Sequence, residues 1–175
     1  MDLKKHIRTV PNFPNDGVMF RDVTTLFNNA SAFEKTVSDF EDLWHGEKVE
    51  AVAGIDARGF IIGGALALQM KLPFVVLRKK GKLPYMTVSE EYDLEYGKAS
   101  LEIHNDAISK GTSVLVVDDL IATGGTAIAG VNLIKAIGGN IVGCGFIIDL
   151  PDLGGAKKLE GLGVKVKSLM AFEGE

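Results

Sequence analysis

Cysteine is nearly absent: Cys144 stands alone in 175 residues. No internal disulfide can form, so the fold rests on its apolar core. Long apolar runs are missing as well, and no stretch approaches the ~18 residues of a membrane-crossing helix. The first ten residues carry Lys4, Lys5 and Arg8 but no apolar run of signal length. These absences set the expectation of a cytoplasmic protein with no membrane partner and a reduced, buried Cys144. Proline is scarce, 5 residues, while glycine is plentiful, 21. Glycine without proline is neither collagen nor linker filler, so the glycines belong inside folded structure. Excess positive charge is also lacking. The net charge of −4 argues against a general nucleic-acid surface. What remains, 46% hydrophobic and 24% charged residues, is the balance of a globular protein, at a length that suits a single domain spanning 1–175.

Four short runs are rich in β-branched residues: 49–55, 74–77, 114–117 and 141–148. They do not alternate with polar residues and read as strands buried on both faces. Helical spacing fills the intervals, over 31–44, 60–71 and 126–137. Ser31 with Glu34 three residues on has the spacing of a capping box. Strand and helix in alternation predict an α/β fold, a parallel twisted sheet flanked by helices. One segment, 79–104, breaks the rhythm with Gly81, Pro84, Gly97 and many polar residues. Its second half, Lys98 to His104, alternates and suits an exposed hairpin strand. An excursion this long in a compact domain is functional or disordered.

The most informative stretch is Val114-Leu-Val-Val-Asp-Asp-Leu-Ile-Ala-Thr-Gly-Gly-Thr126. An apolar strand runs into Asp118 and Asp119, and a short loop of Ala122, Thr123, Gly124, Gly125 and Thr126 leads into a helix. Open parallel sheets bind ligands at the carboxyl ends of their strands. The free N–H groups and positive dipole end of a helix suit a phosphate, and glycine lets the backbone approach it. Two adjacent carboxylates are wrong for phosphate but right for a vicinal diol. Phosphate and diol together describe a 5-phosphoribosyl group. The phosphate-loop and dinucleotide fingerprints, Gly-x-x-x-x-Gly-Lys-Ser/Thr and Gly-x-Gly-x-x-Gly after a strand, are both missing.

This stretch closely resembles the donor-binding signature of the type I phosphoribosyltransferases. Two more segments fit. Gly54-Ile-Asp-Ala-Arg-Gly-Phe60 is a glycine-flanked loop at a strand end, and the resemblance makes Asp56, Ala57 and Arg58 pyrophosphate-binding. Arg78-Lys-Lys-Gly-Lys82 places four cations at another strand end, and Arg78, Lys79 and Lys82 are assigned to pyrophosphate with them. With Tyr92-Asp-Leu-Glu-Tyr-Gly-Lys98 and Phe13-Pro-Asn-Asp-Gly-Val-Met-Phe-Arg-Asp22, the chain looks like the adenine-specific branch of that family over nearly its whole length. The resemblance implies a small N-terminal hood, about 1–30, in which Met19 and Phe20 flank adenine and the Arg21 backbone reads its edge. It implies a flexible catalytic loop, about 79–104, that carries Glu95 to manage a purine proton, with Tyr96 in loop closure. Ala122 stands where 6-oxopurine enzymes commonly have an aspartate, which disfavours hypoxanthine and guanine.

The implied reaction moves the 5-phosphoribosyl group from phosphoribosyl pyrophosphate to adenine N9, giving AMP and pyrophosphate. Arg58 and Glu95 are the implied catalytic residues. Mg²⁺ is the expected cofactor, held mainly by the substrate and with no direct protein ligand. Nucleic acid is not an expected partner, and a homodimer is. Two rival readings stay open: a xanthine-type enzyme on the same fold, and a sensor that binds the donor without chemistry.

Overall fold

The computed structural model describes residues 1–94 and 96–174. The chain opens with a 3₁₀ turn, Leu3–His6, and two short antiparallel strands, β1 (Arg8–Pro11) and β2 (Met19–Asp22). A single helical turn, α1 (Thr24–Phe27), leads to α2 (Ala30–Leu43). The predicted cap is corrected here. Ser31 lies inside α2, and the cap is Asn29, whose extended backbone lets its side chain accept from the Ala32 N–H at 2.9 Å.

A strand–helix rhythm follows: β3 (Ala51–Ile55), α3 (Arg58–Met70) and β4 (Phe74–Lys79), then β5 (Thr87–Asp93) and β6 (Lys98–His104). The chain continues through β7 (Ser113–Ile121), α4 (Gly125–Ala136), β8 (Asn140–Asp149), α5 (Gly155–Gly161) and β9 (Val166–Ala171). The main sheet has seven strands in the order β5-β6-β4-β3-β7-β8-β9. β4, β3, β7, β8 and β9 run parallel, as the buried apolar runs predict, while β5 and β6 pair antiparallel at the β4 edge. The sheet is therefore mixed rather than wholly parallel. Segment 79–104 contributes that antiparallel edge. Leu101 and Ile103 of β6 are fully buried, so this strand is not the exposed one its alternation suggests. Its apolar face joins the core beneath α4.

Alternation across β7 explains its unbroken apolar run. Val114 and Val116 belong to the core layer that includes α4 and α5, and Leu115 and Val117 to the layer of α2 and α3. Two glycines of β8 set how closely α2 can lie. A methyl group on Gly145 would sit 2.6 Å from the Phe40 ring, and one on Gly143 would overlap Trp44. Gly63 on α3 does the same against Phe74, but Gly64 faces open space and has no packing duty. Cys144 is buried, and burial pushes its thiol up to about 12, so it stays protonated. Among the described residues no helix is long and apolar enough to cross a membrane.

Candidate functional site

The carboxyl ends of β3, β4, β7 and β8 face one edge of the sheet, and the predicted residues gather there. β7 leads through Ala122 and Thr123 to Gly124, which takes φ +88° as it opens α4. The first turn of a helix leaves its N–H groups without intrahelical partners, and here they face a cavity of about 190 Å³. The loop carbonyls are turned to other work. Ala122 O accepts from the Gly155 N–H at 2.9 Å, and Thr123 O accepts from Lys158 Nζ at 3.1 Å. Gly155 is a site residue that the sequence reading missed. A methyl group there would stand 2.7 Å from Gly124 N and overlap Ala122 O. Only glycine lets α5 back the loop this closely.

Asp118 and Asp119 form the floor of the same cavity. Asp119 is 4% exposed and accepts a hydrogen bond from Arg58 Nε. Asp118 Oδ1 accepts from the Asp119 N–H at 2.8 Å. Gly59 permits the crowding, because a methyl group there would come 2.9 Å from Asp118 Oδ1. Burial pushes the Asp118 carboxyl well above the ordinary range, and the neighbouring Asp119 charge adds to it. Burial works against the Arg58 charge, but Asp119 and Asp118 outweigh it and hold the guanidinium more firmly protonated.

The raised Asp118 pKa carries a sign. An acid whose folded pKa lies above its unfolded value stabilises the fold below about pH 4, and that contribution is lost as pH rises through the folded value. Burying this acid is thus a cost near neutrality. Asp118→Asn is expected to raise Tm by about 2–4 °C at pH 7.5, the gap closing toward pH 4, while donor affinity falls. Thermal melts across pH check this, and a lower Tm at pH 7.5 would contradict it.

The cations at the end of β4 are organised by a buried acid. Asp56 Oδ2 lies 3.5 Å from Arg78 Nε and 3.8 Å from Lys82 Nζ, with its side chain 5% exposed. It also accepts from the Lys79 N–H at 3.3 Å, and the Asp56 N–H itself donates to Leu77 O. The Asp56 carboxylate thus faces the cations at the end of β4 and holds their turn beside it. The exposed Ala57 and Lys79 stand at the same edge. Glu102, 8% exposed, accepts from the Gly81 N–H at 3.1 Å and pins the turn that carries Lys82.

A second cavity, of about 300 Å³, adjoins the first and shares Arg58, Leu120 and Ala122 with it. Met19, Phe20 and Arg21 of β2 form one wall. Leu120, Leu150 and Leu153, contributed by the main sheet and the turn after β8, add a leucine wall that the sequence reading did not single out. Leu150 and Leu153 flank Pro151 and Asp152 just past β8, and Leu153, like Val18, is an exposed apolar side chain at the cavity. The Arg58 guanidinium stands 5.9 Å from the Phe20 ring. Tyr96 is 84% exposed and lines neither cavity. Glu95 lies outside the described residues. The neighbouring hairpin strand comes close to the loop: β5 packs on α4, with Asn132 Nδ2 donating to Glu90 Oε1 at 2.9 Å, and Asp93 O would lie 3.5 Å from a methyl group on Gly125. Among the described residues no three His, Cys, Asp or Glu side chains cluster as metal ligands.

Comparison with known proteins places this geometry. The model of the phosphoribosyl transferase domain matches residues 25–165. The chain is 55% identical over 174 residues to a protein of Beijerinckia indica named adenine phosphoribosyltransferase, covering 99% of this chain and 97% of that one. A protein of the same name from Maricaulis maris is 55% identical over 174 residues, with 99% of each chain covered. The crystal structure of an adenine phosphoribosyltransferase from Thermoanaerobacter pseudethanolicus superposes with a TM-score of 0.94 at 42% identity, covering 97% of this chain and 98% of that one. The Saccharomyces cerevisiae structure, complexed with adenine and an imino-altritol bisphosphate, gives a TM-score of 0.90 at 35% identity and covers 96% of each chain.

Proposed function

Because the chain belongs to the phosphoribosyl transferase family, we propose that it transfers the 5-phosphoribosyl group from 5-phosphoribosyl 1-pyrophosphate to adenine, releasing AMP and pyrophosphate. One observation carries the reading: a polar cavity with a helix N-terminus above two acids adjoins an apolar cavity, and Arg58 and Ala122 line both. The 5-phosphate sits on Thr123, Gly124, Gly125 and Thr126, met by backbone N–H groups and hydroxyls. Asp118 and Asp119 accept from the ribose 2- and 3-hydroxyls. Adenine lies between the Met19–Phe20 side and the leucine wall. The N-terminal segment, about 1–30, is the hood that closes this side, and the β5–β6 hairpin within 79–104, whose strands also form the sheet edge, shields the reacting carbon from water.

The bond from C1 of the ribosyl group to the pyrophosphate oxygen breaks as N9 bonds to that carbon. The electron pair leaves with pyrophosphate, and the purine gives up one proton. Arg58, Arg78, Lys79 and Lys82 stabilise the leaving charge, the largest contribution. Glu95 handles the proton. Alanine at 122 offers the purine imidazole edge no acid, which suits adenine rather than a 6-oxopurine. The donor set fits Mg²⁺ carried by the donor, since two acids, one of them engaged by Arg58, make no cage of their own. When bound, the ion neutralises pyrophosphate charge. A homodimer in the cytoplasm completes the proposal; Ile61 and Leu68, apolar and exposed on α3, support assembly.

The test is nucleotide formation by the purified protein from donor, Mg²⁺ and each of four bases. AMP from adenine is expected, with hypoxanthine, guanine and xanthine at least about 100-fold lower in kcat/KM. Nucleotide from xanthine instead would favour the neighbouring enzyme class. Donor binding with no product from any base would mark a sensor.

A further inference from the structure

The two walls of the base cavity belong to different sheets. Met19, Phe20 and Arg21 ride on the small β1–β2 pair, while Leu120, Leu150 and Leu153 belong to the main sheet and the turn after it. Something must fix the distance between them, because a flat base gains contact only if both walls stand at one spacing. The segment after β9 spans that gap. On the main-sheet side, the Phe172 N–H donates to Asp149 O at 3.0 Å, immediately before Leu150. The Gly174 N–H donates to Asp152 Oδ2 at 2.6 Å, immediately before Leu153. On the hood side, the Phe172 ring receives two cations. Arg21 Cζ lies 4.5 Å and Lys4 Nζ 4.8 Å from its centroid. The same Arg21 guanidinium donates to Thr9 Oγ1 at 2.7 Å, so the ring holds β1 as well as β2. Both cations are within the range of attraction to the negative face of an aromatic ring.

We infer that Phe172 is a positioning residue for the base: a two-cation platform that clasps the hood to the leucine wall and so sets the width of the adenine cavity. It touches no reacting atom. Its influence is confined to the base side, since the phosphate loop and the β4 cations are held by Gly155, Lys158 and Asp56 instead. The inference rests on the reading of this cavity as the adenine site.

Three variants test it: Phe172→Ala, Phe172→Leu, which keeps apolar volume but has no ring face, and Phe172→Tyr, which keeps the face. The Ala and Leu variants should raise the KM for adenine about five- to tenfold, with the KM for the donor and kcat within about twofold of wild type. The Tyr variant should behave as wild type. Hydrogen exchange at residues 19–22 should speed up in the Ala and Leu variants, with or without substrate. Should Phe172→Ala fail to fold, the Leu variant decides. Wild-type kinetics in Phe172→Leu, equal rises in both KM values, or unchanged exchange in the hood would overturn the proposal. If the wild type makes no AMP, the functional reading falls on its own, and the exchange data still decide whether the clasp exists.

Discussion

Arg58→Ala is expected to lower kcat/KM for AMP formation by about 10²- to 10³-fold, the cost of losing one preorganised donor at a developing charge. Two effects combine. The guanidinium lines both cavities, so the proposed pyrophosphate side loses a cation. Its Nε also engages Asp119, which is only 4% exposed. Without that partner the buried Asp119 carboxylate loses its counter-charge and the contact that holds it in place. Arg58→Lys should recover only part of the loss, because an ammonium cannot hold Asp119 and reach the substrate with a second donor. Steady-state kinetics with both substrates, alongside a thermal melt, check this. A loss below about tenfold in a folded Arg58→Ala protein would remove the residue from the site.

Glu95→Leu should lower kcat by about 10²- to 10⁴-fold, the usual reach of a general acid or base, while donor affinity stays within about twofold. The setting supports the assignment. Two residues earlier, Asp93 packs near Gly125 at the start of α4, and the Tyr92 ring would lie 3.7 Å from a methyl group on that glycine. The described part of the hairpin thus runs beside the loop that opens α4. Donor affinity by calorimetry and turnover by AMP formation separate the two effects. Unchanged turnover would remove Glu95 from the mechanism, and a matching loss of donor affinity would make it a donor-binding residue instead.

Legibility followed chain distance. The strand, acid pair, glycine loop and helix from Val114 to Ala136 are contiguous, and each step has a local cause, so their order and chemistry could be read directly. Caps are less secure. Asn29 and Ser31 are both good capping residues two positions apart, and the backbone, not the side-chain type, chose Asn29. β9 was invisible because Val166–Ala171 mixes lysine and serine with its apolar residues. β1 and β2 were invisible because four-residue strands carry too little pattern. The contact of the Asp56 carboxylate with the cations of β4 was not legible, because those residues lie next to it only through the pairing of β3 with β4.

By itself, the sequence determined the chemistry of each segment: a loop suited to phosphate, acids suited to a diol, cations at a strand end, and glycines where backbone must come close. Those are properties of neighbouring residues and need no fold to state. Tertiary structure alone decided the combinations. It brought Arg58 to Asp119 across 61 residues of chain, set Gly155 behind Gly124, and built the apolar cavity from Met19, Leu120 and Leu153. The physical reason is that contacts between distant segments are selected by packing and sheet order, and no single stretch of sequence records the partner it will meet.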